Sequence, residues 1–479
     1  MFIGLDLGTS GLKAVLINES QAIVAEATAP LSAVRPQHGW SEQDPATWLE
    51  AADAVMQALA AQTSLKFVRG VGLSGQMHGA TLLDIDDQVL RPCILWNDTR
   101  SAVEAAKLDA DPQFRALTGN IVFPGFTAPK LVWVARHEPA IFAKVARVLL
   151  PKDYLRLWLT GEAVAEMSDA AGTSWLDVGK RDWSDALLAA SGMTRAQMPR
   201  LVEGSEVSGQ IRDDLATRWG LPKGIAVAGG GGDNAASAVG VGVVKAGDAF
   251  VSLGTSGVLF AASDAYQPDA ATAVHTFCHA LPDTWHQMGV ILAAADALNW
   301  FAKITEKPAA TLTGALGPLR APERTLFLPY LGGERTPHND ANIRGSFLHL
   351  DHGTDQVAMT RAVLEGVTHA IRDSFDALSA TGTKIDRLIA VGGGSKSDYW
   401  VQAIATSLDM QIELPVAGDF GGAFGAARLG MMAATGAGVE VATAPQIART
   451  IAPETSLTSA FSDAHARYRA SYDALKGLT

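Results

Sequence analysis

The chain has 479 residues, 48% hydrophobic and 18% charged, with a formal net charge of −12. This length exceeds a single hydrophobic core and indicates roughly two to four domains. The acidic balance, without a run rich in Lys and Arg, excludes a surface for nucleic acid or anionic membrane as the main function. Small phosphates are not excluded, because backbone N–H groups bind them regardless of net charge.

The elements of the first half read in chain order as three strands, a helix and a further strand. "GTSG" between the first two strands is typical of a hairpin turn. The helix has an N-cap at Asp44 and Pro45 at its first position. The predicted strands are 2–7, 12–18, 22–28 and 67–75, and the helix starts at Pro45.

The second half repeats this order, again with a Gly-Thr-Ser-Gly turn after its first strand. We predict strands at 247–253, 257–263, 273–280, 284–290 and 387–393, and helices at 292–304, 353–380, 397–407 and 421–435. Two copies of one turn in the same context indicate two similar α/β domains, with the boundary near Lys245–Gly247. We place the domains at 1–245 and 246–479.

Cysteine usage and the N-terminus indicate the compartment. The two cysteines, Cys93 and Cys278, stand far apart and outside any CxxC pattern, which favours a reducing compartment and no cysteine metal site. The first residues lack a signal-peptide pattern. The most apolar window, 224–244, contains Asp233 and Asn234, so we expect a cytoplasmic protein without a membrane partner.

The two hairpins are candidates for phosphate binding. Small residues on a tight turn leave backbone N–H groups free to bind phosphate oxygens. Either turn alone is an ordinary β-turn, but one in each of two facing domains would hold a nucleotide from both sides. Asp6, next to the first turn, can hold Mg²⁺ through water.

The stretch "VAGGGGDNAASAV" raises two alternatives for Asp233. Either it N-caps a helix from Asn234 to about Gly240, or the glycines permit close approach of a ligand to this carboxylate. "IAVGGGSKSDYW" (389–400) offers a similar strand-to-helix turn. "GQMHGATLL" (75–83) places Gln76 and His78 after a strand end, where uncharged groups suit sugar hydroxyls, although a lone loop His is often incidental.

Taken together, these motifs resemble the FGGY carbohydrate kinases of the actin-like ATPase superfamily. The resemblance extends in order over nearly the whole chain, through "GLDLGTSGLK", "GQMHGATLL", "LWND", "LLPKDYLR", "SDAAGTSWLDV", "AGGGGDNAA", "SLGTSGV", "PYLGGERTP" and "VGGGSKSDYW". "PGFTAPKLVWVARHEP" fits the family's first signature through Thr127, Lys130 and Trp133. Met77–His78 resembles the branch that acts on D-xylulose, since glycerol kinases carry Arg-Glu there.

The resemblance implies an α/β fold of two ribonuclease-H-like domains around a central cleft, with ATP and Mg²⁺ as cofactors. It implies a catalytic base, a sugar-contacting pair and an acidic residue near Mg²⁺. These are Asp233, Met77 with His78, and Asp6. Thr9 and Gly254–Thr255–Ser256 would face the phosphates, and Gly393–Gly394 the adenosine. Gln76, Trp96 and Asn234 are further sugar-side candidates, with looser matches at Asn97 and Asp98.

The expected function is therefore ATP-dependent phosphorylation of D-xylulose to D-xylulose 5-phosphate in pentose catabolism. One alternative is a kinase for L-ribulose, L-xylulose or glycerol, because a pocket rejects near-isosteres weakly. The other is an actin-like ATPase switch, which shares the hairpins but not "GQMHG" and "GGGDN". The sequence does not give the oligomeric state, although dimers are common among similar enzymes and a homodimer is the partner to test.

Overall fold

The computed structural model describes residues 1–416 and 420–478. Residues 417–419 and 479, within the second predicted domain, lie outside the described part. The first half contains β1 Phe2–Leu7, β2 Gly11–Ile17, β3 Ile23–Pro30, β4 Glu42–Gln43, α1 Pro45–Gln62, β5 Gly70–Gly75, β6 Thr81–Leu83, β7 Cys93–Ile94, α2 Ala102–Asp109, α3 Pro112–Thr118, α4 Thr127–His137, α5 Pro139–Phe142, β8 Arg147–Leu149, α6 Pro151–Thr160, β9 Val164–Glu166, α7 Met167–Ala170, β10 Leu176–Asp177, β11 Asp182–Trp183, α8 Asp185–Ala190, β12 Arg200–Val202, β13 Val207–Gln210, α9 Asp213–Trp219, β14 Ala226–Ala228, β15 Gly231–Gly232 and α10 Asp233–Val241.

The second half is built in the same style. It contains β16 Gly247–Leu253, β17 Gly257–Ser263, β18 His275–Cys278, β19 Trp285–Ile291, α11 Ala295–Thr305, α12 Ala309–Gly314, β20 Leu326–Leu328, β21 Ser346–Leu348, α13 Gln356–Ala380, β22 Ile385–Val391, α14 Asp398–Leu408, β23 Ile412–Pro415, α15 Gly422–Thr435, β24 Ile447–Ile451 and α16 Thr458–Leu475.

Two large sheets confirm the predicted α/β class. The first has the order β13–β14–β5–β1–β2–β3, with β15 beside β5, and the second β18–β19–β17–β16–β22–β23–β24. In each, a first strand pairs antiparallel with the next strand of a meander and parallel with a strand that returns after a helix. The repeat seen in the sequence is thus a repeat of topology.

The register of the two sheets makes the hairpins equivalent. Asp6 is the last residue but one of β1 and pairs with Ser74 of β5. Ser252 is the last residue but one of β16 and pairs with Val391 of β22. The repeat therefore sets a carboxylate at one end of the cleft and a hydroxyl at the matching place in the other sheet.

The predicted elements agree with the observed ones to within a few residues. Asp44 caps α1 as expected, accepting from the backbone N of Ala46. The predicted strand 67–75 begins only at Gly70, because Leu65–Phe67 form a 3₁₀ turn. The strand predicted to end at 393 ends at Val391, where Gly392 takes a φ of +89° that a continuing strand does not allow.

Helix α15 joins the two halves. A Cβ added to Gly4 of β1 would lie 1.8 Å from the carbonyl O of Ala423, and one on Gly72 of β5 equally close to that of Ala426. A Cβ on Gly425 would lie 1.7 Å from the carbonyl O of Ala236 in α10. Although it follows the predicted boundary in sequence, α15 therefore packs between the first sheet and α10.

Within the described ranges, no helix is both long and apolar enough to cross a membrane. Cys93 and Cys278 are both free thiols and buried.

Candidate active site

The glycine run before Asp233 is tightly packed. A Cβ on Gly229 would lie 2.1 Å from the carbonyl O of Glu203, and one on Gly230, whose φ is +80°, 2.1 Å from that of Leu73. These two positions exclude a side chain because protein backbone fills the space. At Gly229 and Gly230 the missing side chain makes room for the protein's own backbone rather than for a ligand. These two glycines thereby fix the path of the chain into α10.

Buried polar groups brace the same run. Arg156 donates from Nη1 to the carbonyl of Ala228 (2.6 Å) and from Nη2 to that of Gly229 (2.5 Å). The N–H of Gly232 donates to Ser168 Oγ at 3.0 Å. Since Arg156 and Ser168 are fully buried, the position of Asp233 is set by a rigid support.

Asp233 is the first residue of α10, and the N-cap is Gly232. The capping alternative for Asp233 is therefore wrong. Its Oδ1 accepts from the backbone N of Asn234 at 2.8 Å and from the side-chain Nδ2 at 3.1 Å. Burial, and secondly the charge of Asp6, raise its pKa from 3.8 to about 6. A carboxylate with this pKa is a better proton acceptor than an exposed one and remains ionised at neutral pH.

Asp233 lines a cavity of about 790 Å³ between the two halves. Its lining includes the candidates Met77, His78, Trp96, Asn97, Asp98, Asn234, Gly254, Thr255 and Ser256. The structure thus brings most of the sugar-side candidates together with the second hairpin. The carboxylate of Asp98 is already hydrogen-bonded within the protein, because it accepts from the guanidinium of Arg100 and from the backbone N of Ser41.

His78 is held as a neutral acceptor facing this cavity. Its φ is +69°, and its Nδ1 lies 2.7 Å from the carbonyl O of Gly172. Because a carbonyl oxygen only accepts, Nδ1 carries the proton and Nε2 is left as an acceptor. Burial lowers the pKa of His78 to about 3, so it is uncharged and suited to receive a hydroxyl proton in a hydrogen bond.

Three residues of the motifs explain the strained backbone of His78. Lys130 Nζ donates to the carbonyls of His78 (2.8 Å) and Gly125 (2.7 Å), and Thr127 Oγ1 donates to the carbonyl of His78 at 3.1 Å. A Cβ on Gly172 would lie 2.5 Å from His78 Cε1. The signature residues Lys130 and Thr127 therefore position the sugar-side pair from behind.

Gln76 and Thr9 belong to a network beside the cavity. Thr9 Oγ1 donates to Gln76 Oε1 (2.8 Å) and accepts from Trp96 Nε1 (3.0 Å). Gln76 Nε2 donates to Gln43 Oε1 at 3.0 Å. Gln76 is buried, and both ends of its amide are used within the protein. This network holds Trp96, a residue that is 48% exposed and lines the cavity.

Asp6 and the second hairpin lie on opposite sheets of the cleft. Asp6 Oδ1 accepts from Ser74 Oγ at 2.8 Å. In the second hairpin, the carbonyl of Gly254 accepts from the backbone N of Ala295, the first residue of α11, at 2.8 Å, and that of Thr255 accepts from the backbone N of the N-cap Ala294 at 2.9 Å. The helix thereby holds the turn that presents Thr255 and Ser256 to the cavity.

A second cavity, of about 620 Å³, adjoins the first and shares Asn234 and Ser252 with it. One group of its lining residues is apolar: Val241, Phe250, Val391, Leu414, Pro415 and Phe420. Such a slot suits a flat aromatic group. Gly392 and Ser395 line it, whereas the predicted pair Gly393 and Gly394 is not among its lining residues. A Cβ added to Gly394 would lie 2.8 Å from Leu253 and Trp400, and one added to Gly393 would meet no atom within 4 Å.

Arg335 and His275 are site residues that the sequence analysis did not identify. Both line the larger cavity. The motif "YLGGERTP" indicated this segment, but periodicity does not show which of its side chains reaches the cleft. Two patterns could have pointed to them: a Gly-Gly turn before a charged pair, and a His at the start of a buried strand.

Comparisons with known proteins give a consistent answer. Residues 1–240 match the model of the FGGY family of carbohydrate kinases, N-terminal domain, and 249–434 that of the C-terminal domain. The chain is 52% identical to xylulose kinase of Escherichia coli over 91% of this chain and 90% of that protein. A crystal structure of a "xyloylose kinase" from Brucella ovis has a TM-score of 0.98 and 62% identity, covering both chains fully. Xylulose kinase of Rhodospirillum rubrum has a TM-score of 0.94 and 30% identity, covering 100% of this chain and 99% of that one.

Proposed function

The chain belongs to the FGGY family of carbohydrate kinases, and we propose that it transfers the γ-phosphate of ATP to D-xylulose, forming D-xylulose 5-phosphate. The observation that carries this proposal is the cavity between the two halves, where Asp233, Met77 and His78 meet the second Gly-Thr-Ser turn. Relatives that are 52% and 37% identical over 90% and 88% of their own length carry the name xylulose kinase, which supports the same sugar.

In this proposal Asp233 is the general base. The C5 hydroxyl of the sugar donates to its carboxylate and loses the proton as the bond to phosphorus forms. The base need not be strong, because the transition state of phosphoryl transfer is loose and positioning provides most of the acceleration. The neutral Nε2 of His78 would accept from another hydroxyl and so orient the chain of the sugar.

ATP would occupy both cavities. The purine would lie in the apolar slot of the smaller cavity, which Gly392 and Ser395 also line, and the phosphates would pass Ser252 towards Thr255 and Ser256. We retain 1–245 as the sugar-binding domain and 246–479 as the nucleotide-binding domain, which the ranges of the two family models support.

Asp6 is the residue that would hold Mg²⁺. Among the described residues there is no cluster of three or more His, Cys, Asp or Glu side chains that could hold a metal by themselves. A single carboxylate such as that of Asp6 fits Mg²⁺, because this ion is commonly held by one or two carboxylates together with water and substrate phosphates. Bound there, the ion would neutralise charge on the phosphates. The like charge that Asp6 exerts on Asp233 also fits a cation close to the pair.

The test is ADP release with ATP and Mg²⁺ in the presence of D-xylulose, L-xylulose, L-ribulose, glycerol or gluconate. We expect the highest kcat/KM with D-xylulose. Preference for another of these compounds would keep the family and replace the substrate, and release without stimulation by any sugar would favour the ATPase switch. A cytoplasmic location and a homodimer are part of the proposal, and light scattering in solution tests the dimer.

A further inference from the structure

The larger cavity has two chemically different ends. At one end Asp6 acts on Asp233 and raises the pKa of that carboxyl. At the other end burial lowers the pKa of His78 and of His275, and nearby positive charge lowers both further: Lys130 and then Arg335 act on His78, and Arg335 acts on His275. The proposed reaction uses the acidic end, and no step of it uses the guanidinium of Arg335.

A chain of neighbouring side chains connects the two ends of the cavity. Next to Asp233, a Cβ on Gly232 would lie 3.0 Å from the side chain of Met77. His78 follows Met77 and stacks on Phe126 with ring centroids 4.5 Å apart. Phe126 is in turn 5.9 Å from the ring of His275. Several side chains therefore separate Arg335, which contacts His275, from the base.

Arg335 lies at this end of the cavity against two rings. Its Nη1 lies 3.2 Å from Nε2 of His275, and its guanidinium lies 4.1 Å from the centroid of the Phe123 ring. Among the residues that the structure describes, no carboxylate forms an ion pair with it. The charge of the adjacent Glu334 acts on Arg335, but the Glu334 carboxylate is hydrogen-bonded to backbone: its Oε1 accepts from the backbone N of Leu292 (3.0 Å) and of Arg335 (2.7 Å).

His275 fixes the direction of the guanidinium without neutralising it. Burial, and then the charge of Arg335, hold the pKa of His275 well below its usual value, so the ring is neutral and Nε2 accepts from Nη1. A guanidinium has donors only and holds them in a rigid plane. The remaining N–H groups of Arg335 are thus available to acceptors on a ligand in the cavity.

We infer that Arg335 determines substrate specificity by donating hydrogen bonds to the hydroxyketone end of the ketose, at the C1 hydroxyl and the C2 carbonyl. The inference rests on the proposed function: with the C5 hydroxyl at Asp233, the open chain extends past Met77 and His78 and brings C2 and C1 to Arg335. Both oxygens accept hydrogen bonds. Because Arg335 comes from the second half of the chain, the sugar is then held by both halves.

The test compares Arg335→Gln, Arg335→Lys and wild type on D-xylulose and on 1-deoxy-D-xylulose, which lacks the C1 hydroxyl. Loss of a hydrogen bond from a charged donor predicts that Arg335→Gln lowers kcat/KM for D-xylulose on the order of 10- to 100-fold. The loss for the deoxy sugar should be at least about fivefold smaller, because one contact is already absent. Arg335→Lys should retain part of the preference. Arg320→Gln, at an exposed arginine of the same half, is the control and should match wild type.

Each outcome supports or overturns the inference. Equal losses on both sugars, with unchanged ATP affinity and melting temperature, would mean that Arg335 does not contact the C1 end. Wild-type activity in Arg335→Gln would mean the same. Wild type could instead phosphorylate gluconate faster than D-xylulose, and Arg335→Gln could lose that activity. This result would mean that Arg335 binds the carboxylate of gluconate and not a hydroxyketone. If wild type phosphorylates neither D-xylulose nor the deoxy sugar, the proposed function itself fails.

Discussion

Replacing Asp233 by Asn should stabilise the protein while removing its activity. The pKa of Asp233 is raised from 3.8 to about 6, first by burial and then by Asp6. The folded state therefore binds this proton more tightly than the unfolded state. The free energy of unfolding therefore decreases as pH rises from about 3.8 to about 6, and it does not recover at higher pH. The shift corresponds to about 3 kcal/mol at pH 8 and about half of that at pH 5.

Chemical denaturation of wild type and Asp233→Asn at pH 5 and pH 8 measures this effect. The neutral amide does not pay the cost of a buried charge, so the variant should be more stable by about 3 kcal/mol at pH 8 and by about half of that at pH 5. Asp86→Asn, at an exposed aspartate, is the matched control and should show no such pH dependence. In the same samples, sugar-dependent ADP release by Asp233→Asn should fall by about 100-fold or more.

Either half of this prediction can fail separately. A stability difference that is the same at both pH values, or a variant that is less stable at pH 8, would refute the argument from burial and like charge. Turnover close to that of wild type would remove Asp233 from the role of base, whatever its effect on stability.

Three further predictions concern the same framework. kcat/KM should decrease about tenfold per pH unit below about 6 as Asp233 is protonated, and a flat profile between pH 6 and 5 would contradict this. Gly172→Ala places a Cβ 2.5 Å from His78 Cε1 and should raise the sugar KM about tenfold or more while ATP affinity, measured by calorimetry, stays unchanged. Gly72→Ala places a Cβ 1.8 Å from a carbonyl of α15. In urea denaturation it should cost about 3 kcal/mol or more, whereas Gly314→Ala, with open space around it, should not destabilise.

Local pattern was sufficient for the elements and the fold class. Strand alternation, helical spacing and turn residues act over a few neighbouring positions, so a sequence displays them directly. The hairpin after Asp6 and the one after Ser252 also predicted a repeat, and both sheets have the corresponding order. Motif resemblance then indicated the family, and it named Asp233, Met77 and His78, which the structure places in one cavity.

Contacts between distant segments could not be predicted in this way. Gly229 and Gly230 are required by the backbone of Glu203 and Leu73, which lie far away in sequence. Lys130 holds the carbonyl of His78 across 52 positions. Arg335 reaches the cavity from the second half of the chain.

The sequence by itself thus determined the secondary structure, the repeated fold and the identity of the central residues. Only the tertiary structure decided which groups neutralise, desolvate or orient them. The pKa of Asp233, the acceptor state of His78 and the orientation of Arg335 all depend on burial and on groups brought close by folding. Because these interactions decay with distance in space rather than along the chain, no local pattern reports them.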